Sequence, residues 1–169
     1  DNFAKLPELT MAWPTVEDLH PDSYALEVLA EYLSQTKRAP FYQVLVEDAK
    51  LAPGVQMGNQ AAELAGQFML RVRAFEGKPL DGVAAAVEQA FAKFEREGIS
   101  ERDLNRIKAG QETRFYNAMS SVLGKSAMLA EYNYLTGNPG QVEEGIRKTL
   151  AITPADVRRV YDTYIKGKP

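Results

Sequence analysis

One histidine, His20, and no cysteine leave this chain few places where chemistry could start. A zinc hydrolase site takes three protein ligands, usually imidazoles with a carboxylate, and a serine or cysteine nucleophile needs a histidine base beside it. The chain cannot supply the first set. His20 lies just before Pro21, where the polarity of a helix start accounts for it. The carboxylate pairs Glu47-Asp48 and Glu143-Glu144 are adjacent in sequence, so on a helix their side chains point different ways and read as solvated faces. Arg71 and Arg73 alternate with Leu70 and Val72, which invites an anion-binding reading, but strand alternation alone places polar residues on an open sheet face. Tyr116, Tyr132 and Tyr134 read as core packing with wet hydroxyls. No residue is assigned a catalytic or metal-binding role.

The elements that would position these groups follow from local pattern. Leu9 to Trp13, closed by Pro14, reads as an opening strand. His20-Pro21-Asp22-Ser23 is a helix start, and Leu26, Leu29 and Leu33 mark the buried face of a helix over about 22–35. Phe41 to Asp48 predicts a short helix, stopped before Pro53-Gly54. Val55 to Ala61 and Gln67 to Phe75 predict an antiparallel hairpin. From Gly77 onward the chain turns helical. One helix carries Val83, Val87, Ala90, Phe91 and Phe94 and ends at Gly98. The next starts at Ser100-Glu101-Arg102-Asp103 and bends near Gly124 to Tyr134. Thr136 to Gly140 is a stop, Val142 to Leu150 a further helix, and Thr153-Pro154-Ala155-Asp156 caps the last one.

The length of 169 residues suits one domain, and 45% hydrophobic with 25% charged residues is ordinary for a globular core. The formal charge of −3 gives no broad attraction to nucleic acid or anionic lipid, and Lys37-Arg38 reads as a solvated turn. No window approaches the roughly 20 apolar residues that span a bilayer, so membrane insertion is not expected. Asp1 in place of Met, followed by the extended stretch to Pro7, reads as a linker into a single domain over 1–169 taken from a longer protein. The lack of cysteine leaves the redox compartment open.

The order strand, helix, short helix, hairpin and long helical tail resembles the second-type, noncatalytic domain of the M16 zinc metallopeptidases. That family includes pitrilysin-like enzymes, the mitochondrial processing peptidase and the core subunits of the cytochrome bc1 complex. The resemblance is carried by Pro21-Asp22-Ser23-Tyr24-Ala25-Leu26-Glu27-Val28-Leu29, Phe41 to Glu47, Leu51-Ala52, Gly98 to Lys108 and Ile152 to Val157. It implies an α+β fold, an antiparallel sheet with helices packed on one face. It also implies a catalytic domain with a His-x-x-Glu-His zinc motif, in the same or a partner chain, as the partner of this one. On that reading the parent protein is a zinc metalloendopeptidase acting on peptides, zinc sits in the partner domain, and this chain alone is inactive. Family members that grip substrate in their second half carry an Arg followed seven residues later by Tyr. The aligned positions here hold Val46 and Pro53, so this clamp is missing.

What remains to this domain is to wall the peptide chamber and to hold an extended substrate by backbone pairing along a strand edge at Val55, Gln56, Met57, Asn59 and Gln60. The alternatives are a structural or assembly subunit of the same fold without peptidase activity, and an unrelated binding module with a coincident helix order. By resemblance, a periplasmic location is expected.

Overall fold

A computed structural model describes residues 6–168. The helix starts follow their predicted caps. His20 precedes α1 (Pro21–Ser34), and its Nδ1 accepts the Asp22 N–H at 3.1 Å, so the lone imidazole serves as a backbone cap. Ser100 caps α4 (Glu101–Ser120), and Thr153 and Asp156 form a reciprocal capping box at α7 (Pro154–Tyr164). Before α4, α3 (Leu80–Glu97) ends at Gly98, whose φ of 66° is cheap only without a Cβ. Between α4 and α7 lie α5 (Val122–Thr136) and α6 (Val142–Ala151).

Three strands form one antiparallel sheet in the order β1-β3-β2: β1 (Glu8–Thr15), β2 (Gln56–Ala61) and β3 (Gly66–Arg73). Trp13 pairs with Phe68, and Asn59 pairs with Phe68 from the other side. Alternation buries Phe68, Leu70 and Val72 and leaves Arg71 and Arg73 exposed beside Glu8, as the pattern predicts. The helices therefore cover one face. Trp13, Phe68 and Met57 meet a core with Leu26 and Leu29 of α1 and Val87 and Phe91 of α3. Tilted and edge-on rings continue from Phe68 through Trp13 and Phe91 to Tyr161 and Phe94.

Several expectations need correction. Pro14 lies inside β1, which runs on to Thr15; an edge strand tolerates a residue without an N–H. Val55 precedes β2, with its side chain in the core, and β3 stops at Arg73, short of Phe75. The Phe41 to Asp48 helix is a single α turn, α2 (Pro40–Tyr42), widened into a π-helical segment over Gln43–Asp48. The bend expected near Gly124 to Tyr134 is a full break at Ser121. That residue leaves helical geometry at φ −94° and ψ 143° and caps α5 through its hydroxyl. Tyr116 and Tyr134 are exposed, at 60% and 72%, because α4 and α5 leave the core where these residues fall. The linker reading of Asp1 to Pro7 falls mostly outside the described residues.

α1 is tied to α7 by a buried charge. Arg159 donates to both Asp22 oxygens at 2.7 and 3.1 Å, and the Tyr164 hydroxyl donates to Oδ2 at 2.7 Å. The Arg159 hydrogen bonds hold the Asp22 carboxyl below its usual range against the opposing effect of burial, with further help from Tyr164. A depressed folded value means that the tie contributes fully above the unfolded value of 3.8 and is lost as pH falls through the folded one. Asp22→Asn is expected to lower stability by about 2 kcal/mol at pH 7, moderated because Arg159 is half exposed. Urea melts at several pH values check this. A deficit that persists undiminished at pH 2.5 would show that the ionised tie is not its source.

Candidate functional site

α4, α5 and α6 line an open cleft of about 480 Å³ together with α1 and β2. α1 contributes Tyr24, Glu27 and Glu31 at successive turns, which the i, i+3 and i, i+4 spacing places on one face. β2 contributes Met57, Gly58 and Asn59, α4 contributes Gln111 and Arg114, and α5 contributes Glu131 and Tyr132. The α6 wall comes close because position 145 is glycine: a Cβ there would fall on the Tyr132 hydroxyl.

Charge in the cleft is unevenly matched. Glu31 is engaged, taking Arg114 Nη2 at 2.6 Å and Gln111 Nε2 at 3.2 Å. Glu27 is exposed at the open mouth of the cleft, with the walls of α1, α4 and α5 around it. Desolvation by those walls, then the Asp18 and Glu31 carboxylates, push its carboxyl up to about 7, with Arg114 opposing. Burial first, and then the facing Tyr132, also raise the Tyr24 phenol. Asn59 Oδ1 accepts from Thr15 Oγ1 at 3.0 Å, while its buried Nδ2 has no partner.

The direction of the β2 edge follows from the ladder. Ala74 N–H donates to the Pro7 carbonyl at 2.8 Å, and Pro14 has no N–H to give, so the odd-numbered residues of β1 face β3. The even-numbered residues of β3 are then used by β1, and its odd-numbered ones serve Gln56, Gly58 and Gln60 of β2. The reciprocal hairpin bond from Ala62 N–H to the Ala65 carbonyl, at 3.0 Å, fits this alternation. The backbone groups of Met57 and Asn59 therefore point off the sheet, where both residues line the cleft.

Of the five residues singled out by sequence, Met57 and Asn59 present backbone to this edge, and Gln56 and Gln60 spend theirs on β3. Val55 lies before the strand. Tyr132, read from sequence as core packing, lines the cleft instead; Glu27 carries no site signal in the sequence beyond helical spacing, which does not reveal an opposing wall. Among the described residues no group of three or more His, Cys, Asp or Glu side chains could hold a metal ion. The arrangement offers an acid near neutrality, two phenols and a strand edge, without a nucleophile and base in contact.

The raised Glu27 carboxyl has a defined effect on stability. Its folded value exceeds the unfolded 4.5, so the favourable neutral form is fully present below 4.5 and lost as pH rises through about 7. Glu27→Gln is expected to raise Tm relative to the parent at pH 8 and to leave it unchanged at pH 4. Calorimetry at both values checks this, and an equal shift at the two would assign the effect to packing.

Residues 2–111 match the sequence profile of the family described as "Peptidase M16 inactive domain". No curated protein matches the sequence. Among solved structures, a protease from Helicobacter pylori superposes with a TM-score of 0.85 at 18% identity, over 96% of this chain and 39% of that one. A peptidase M16 inactive domain from Pseudomonas fluorescens gives 0.79 at 17% identity, over 96% and 38%. A chain of complex III2 from Candida albicans gives 0.75 at 16% identity, over 98% and 41%. This chain thus spans about two fifths of each, and at such identities the likeness is one of fold. The profile match covers most of the sequence and agrees with the sheet and the helix order: the chain belongs to the peptidase M16 inactive-domain family.

Proposed function

We propose that this chain is the noncatalytic domain of a zinc-dependent M16 peptidase, a single domain within a longer protein. A catalytic domain in the same or a partner chain supplies the His-x-x-Glu-His zinc site. This domain walls the peptide chamber and helps hold an extended substrate. The observation that carries the reading is the edge of β2, which among the described residues pairs with β3 alone and whose Met57 and Asn59 line the cleft. An extended peptide laid there would gain main-chain hydrogen bonds without regard to its sequence, which suits a peptidase of broad range. The span from Val55 to Gln60 is the proposed contact, with Gln56 and Gln60 exposed beside the edge. By resemblance, the reading carries a periplasmic location.

The second reading, a structural subunit of the same fold, draws on the likeness to a chain of complex III2. Zinc analysis and peptide hydrolysis on the intact parent protein separate the two. One equivalent of zinc and hydrolysis abolished by a chelator support the peptidase; a zinc-free, inactive parent complex supports the scaffold.

Within the peptidase reading, Asn59→Pro removes an N–H directed away from β3 and spares the ladder residues Gln56, Gly58 and Gln60. In the intact enzyme it is expected to raise KM for a peptide about tenfold, as loss of one backbone hydrogen bond would. Asn59→Ala, which loses the same side chain but keeps the N–H, should leave KM near the parent value. Equal KM for both variants and the parent would remove the β2 edge from substrate binding.

A further inference from the structure

α5 is the wall of the cleft with the least holding it in place. None of its residues is buried, although Met128, Glu131, Tyr132 and Leu135 line the cleft. The facing walls are anchored: α1 sets Leu26 and Leu29 in the core, and β2 sets Met57 there. The helices on either side of α5 are anchored too, since α4 buries Leu104 and Ile107 and α6 buries Val142 and Thr149. Shifting α5 therefore uncovers little apolar surface, whereas shifting any other wall would expose buried side chains. Both ends of α5 are residues outside helical geometry. Ser121 is extended at φ −94° and ψ 143°, and Gly137 is left-handed at φ 72°, so each can absorb a rotation without unwinding a turn. In its last turn α5 is tied across to the turn between β2 and β3: the exposed Tyr134 donates its hydroxyl hydrogen to Glu63 Oε2 at 2.6 Å. Tyr132 reaches inward over Gly145 and faces Tyr24.

We propose that α5 is a hinged flap, pivoting at Ser121 and Gly137 and latched by Tyr134 to Glu63, that sets the width of the cleft beside β2. Latched, it holds Tyr132 toward Tyr24 and covers the buried wall at Ala30. Released, α5 swings on its two ends, Tyr132 leaves Gly145, and the cleft widens along Met57 and Asn59. The latch suits reversible use, because it is one hydrogen bond at the surface, where water replaces it at small net cost. Glu63 lies in the turn that leaves β2, so an occupant of that edge sits next to the group that holds the flap. The proposal concerns the cleft of the preceding reading and does not depend on the occupant being a peptide.

Amide exchange read by mass spectrometry on the intact parent protein tests it. The α5 amides are expected to exchange at least about 100-fold faster than those of α1 and α7. Tyr134→Phe and Glu63→Ala should each speed α5 exchange about five- to tenfold, the double variant no further, with α1 and α7 unchanged. Access is read from Ala30→Cys, a small substitution at a buried position in the cleft wall, as the rate of maleimide labelling of the peptide that carries it. Adding Tyr134→Phe should speed that labelling by the same factor. Protection of α5 equal to that of α1, latch variants that change nothing or add to one another, or labelling that stays constant while α5 exchange rises would overturn the proposal. Because no readout involves zinc or peptide, failure of the peptidase reading leaves this test intact.

Discussion

The carboxylate of Asp22, set in the buried first turn of α1, is the constraint around which the other elements are arranged. A charge there cannot stand alone, since an unpaired buried carboxylate costs several kcal/mol. Arg159 and Tyr164 close on it from the last helix, so a residue at the start of the domain specifies where its end must lie. α7 in turn presents Tyr161 to Phe91 and Phe94, which fixes α3 against the sheet. The rotation of α1 about its own axis follows from the same contact. With Asp22 turned to α7 and Leu26 and Leu29 in the core, Glu27 and Glu31 are left to face the cleft.

Much of this architecture is legible locally. Ser100 with Asp103, Thr153 with Asp156, and Gly98 each act within one turn of the chain, and period-two alternation in Phe68 to Arg73 already assigns a buried and an open sheet face. The misreadings share a cause. Tyr116 and Tyr134 carry the composition of a core, but whether an aromatic is buried depends on what lies opposite, and α5 buries none of its own residues. The break at Ser121 falls three residues before the glycine that marked the expected bend. Ser121 can cap a new helix, whereas Gly124 packs against the Ala118 carbonyl, where a Cβ would collide. Asp22 and Arg159 lie 137 residues apart, beyond any local pattern.

The candidate site was half legible. The β2 segment could be marked as an edge because the hairpin is visible, yet which of its amides are free depends on the β1 to β3 register. Glu27 reads as an ordinary helix-surface glutamate until α4, α5 and α6 are brought over it. Its proton affinity is a property of the assembled walls and of Asp18 and Glu31, so only the fold discloses it.

Two open edges on a three-stranded sheet are a hazard, since unpaired N–H and C=O groups recruit other strands. The two edges differ in a way that bears on use. Beside β1 lie Phe91, Tyr161 and Ile165, already buried by their neighbours, and the Lys168 carbonyl meets Trp13 Nε1. Beside β2 lie Gln56, Gly58 and Gln60, an incompletely bonded Asn59 amide and a cleft lined with carboxylates and phenols. An occupant held there by backbone hydrogen bonds gains only the small net energy of each exchange with water.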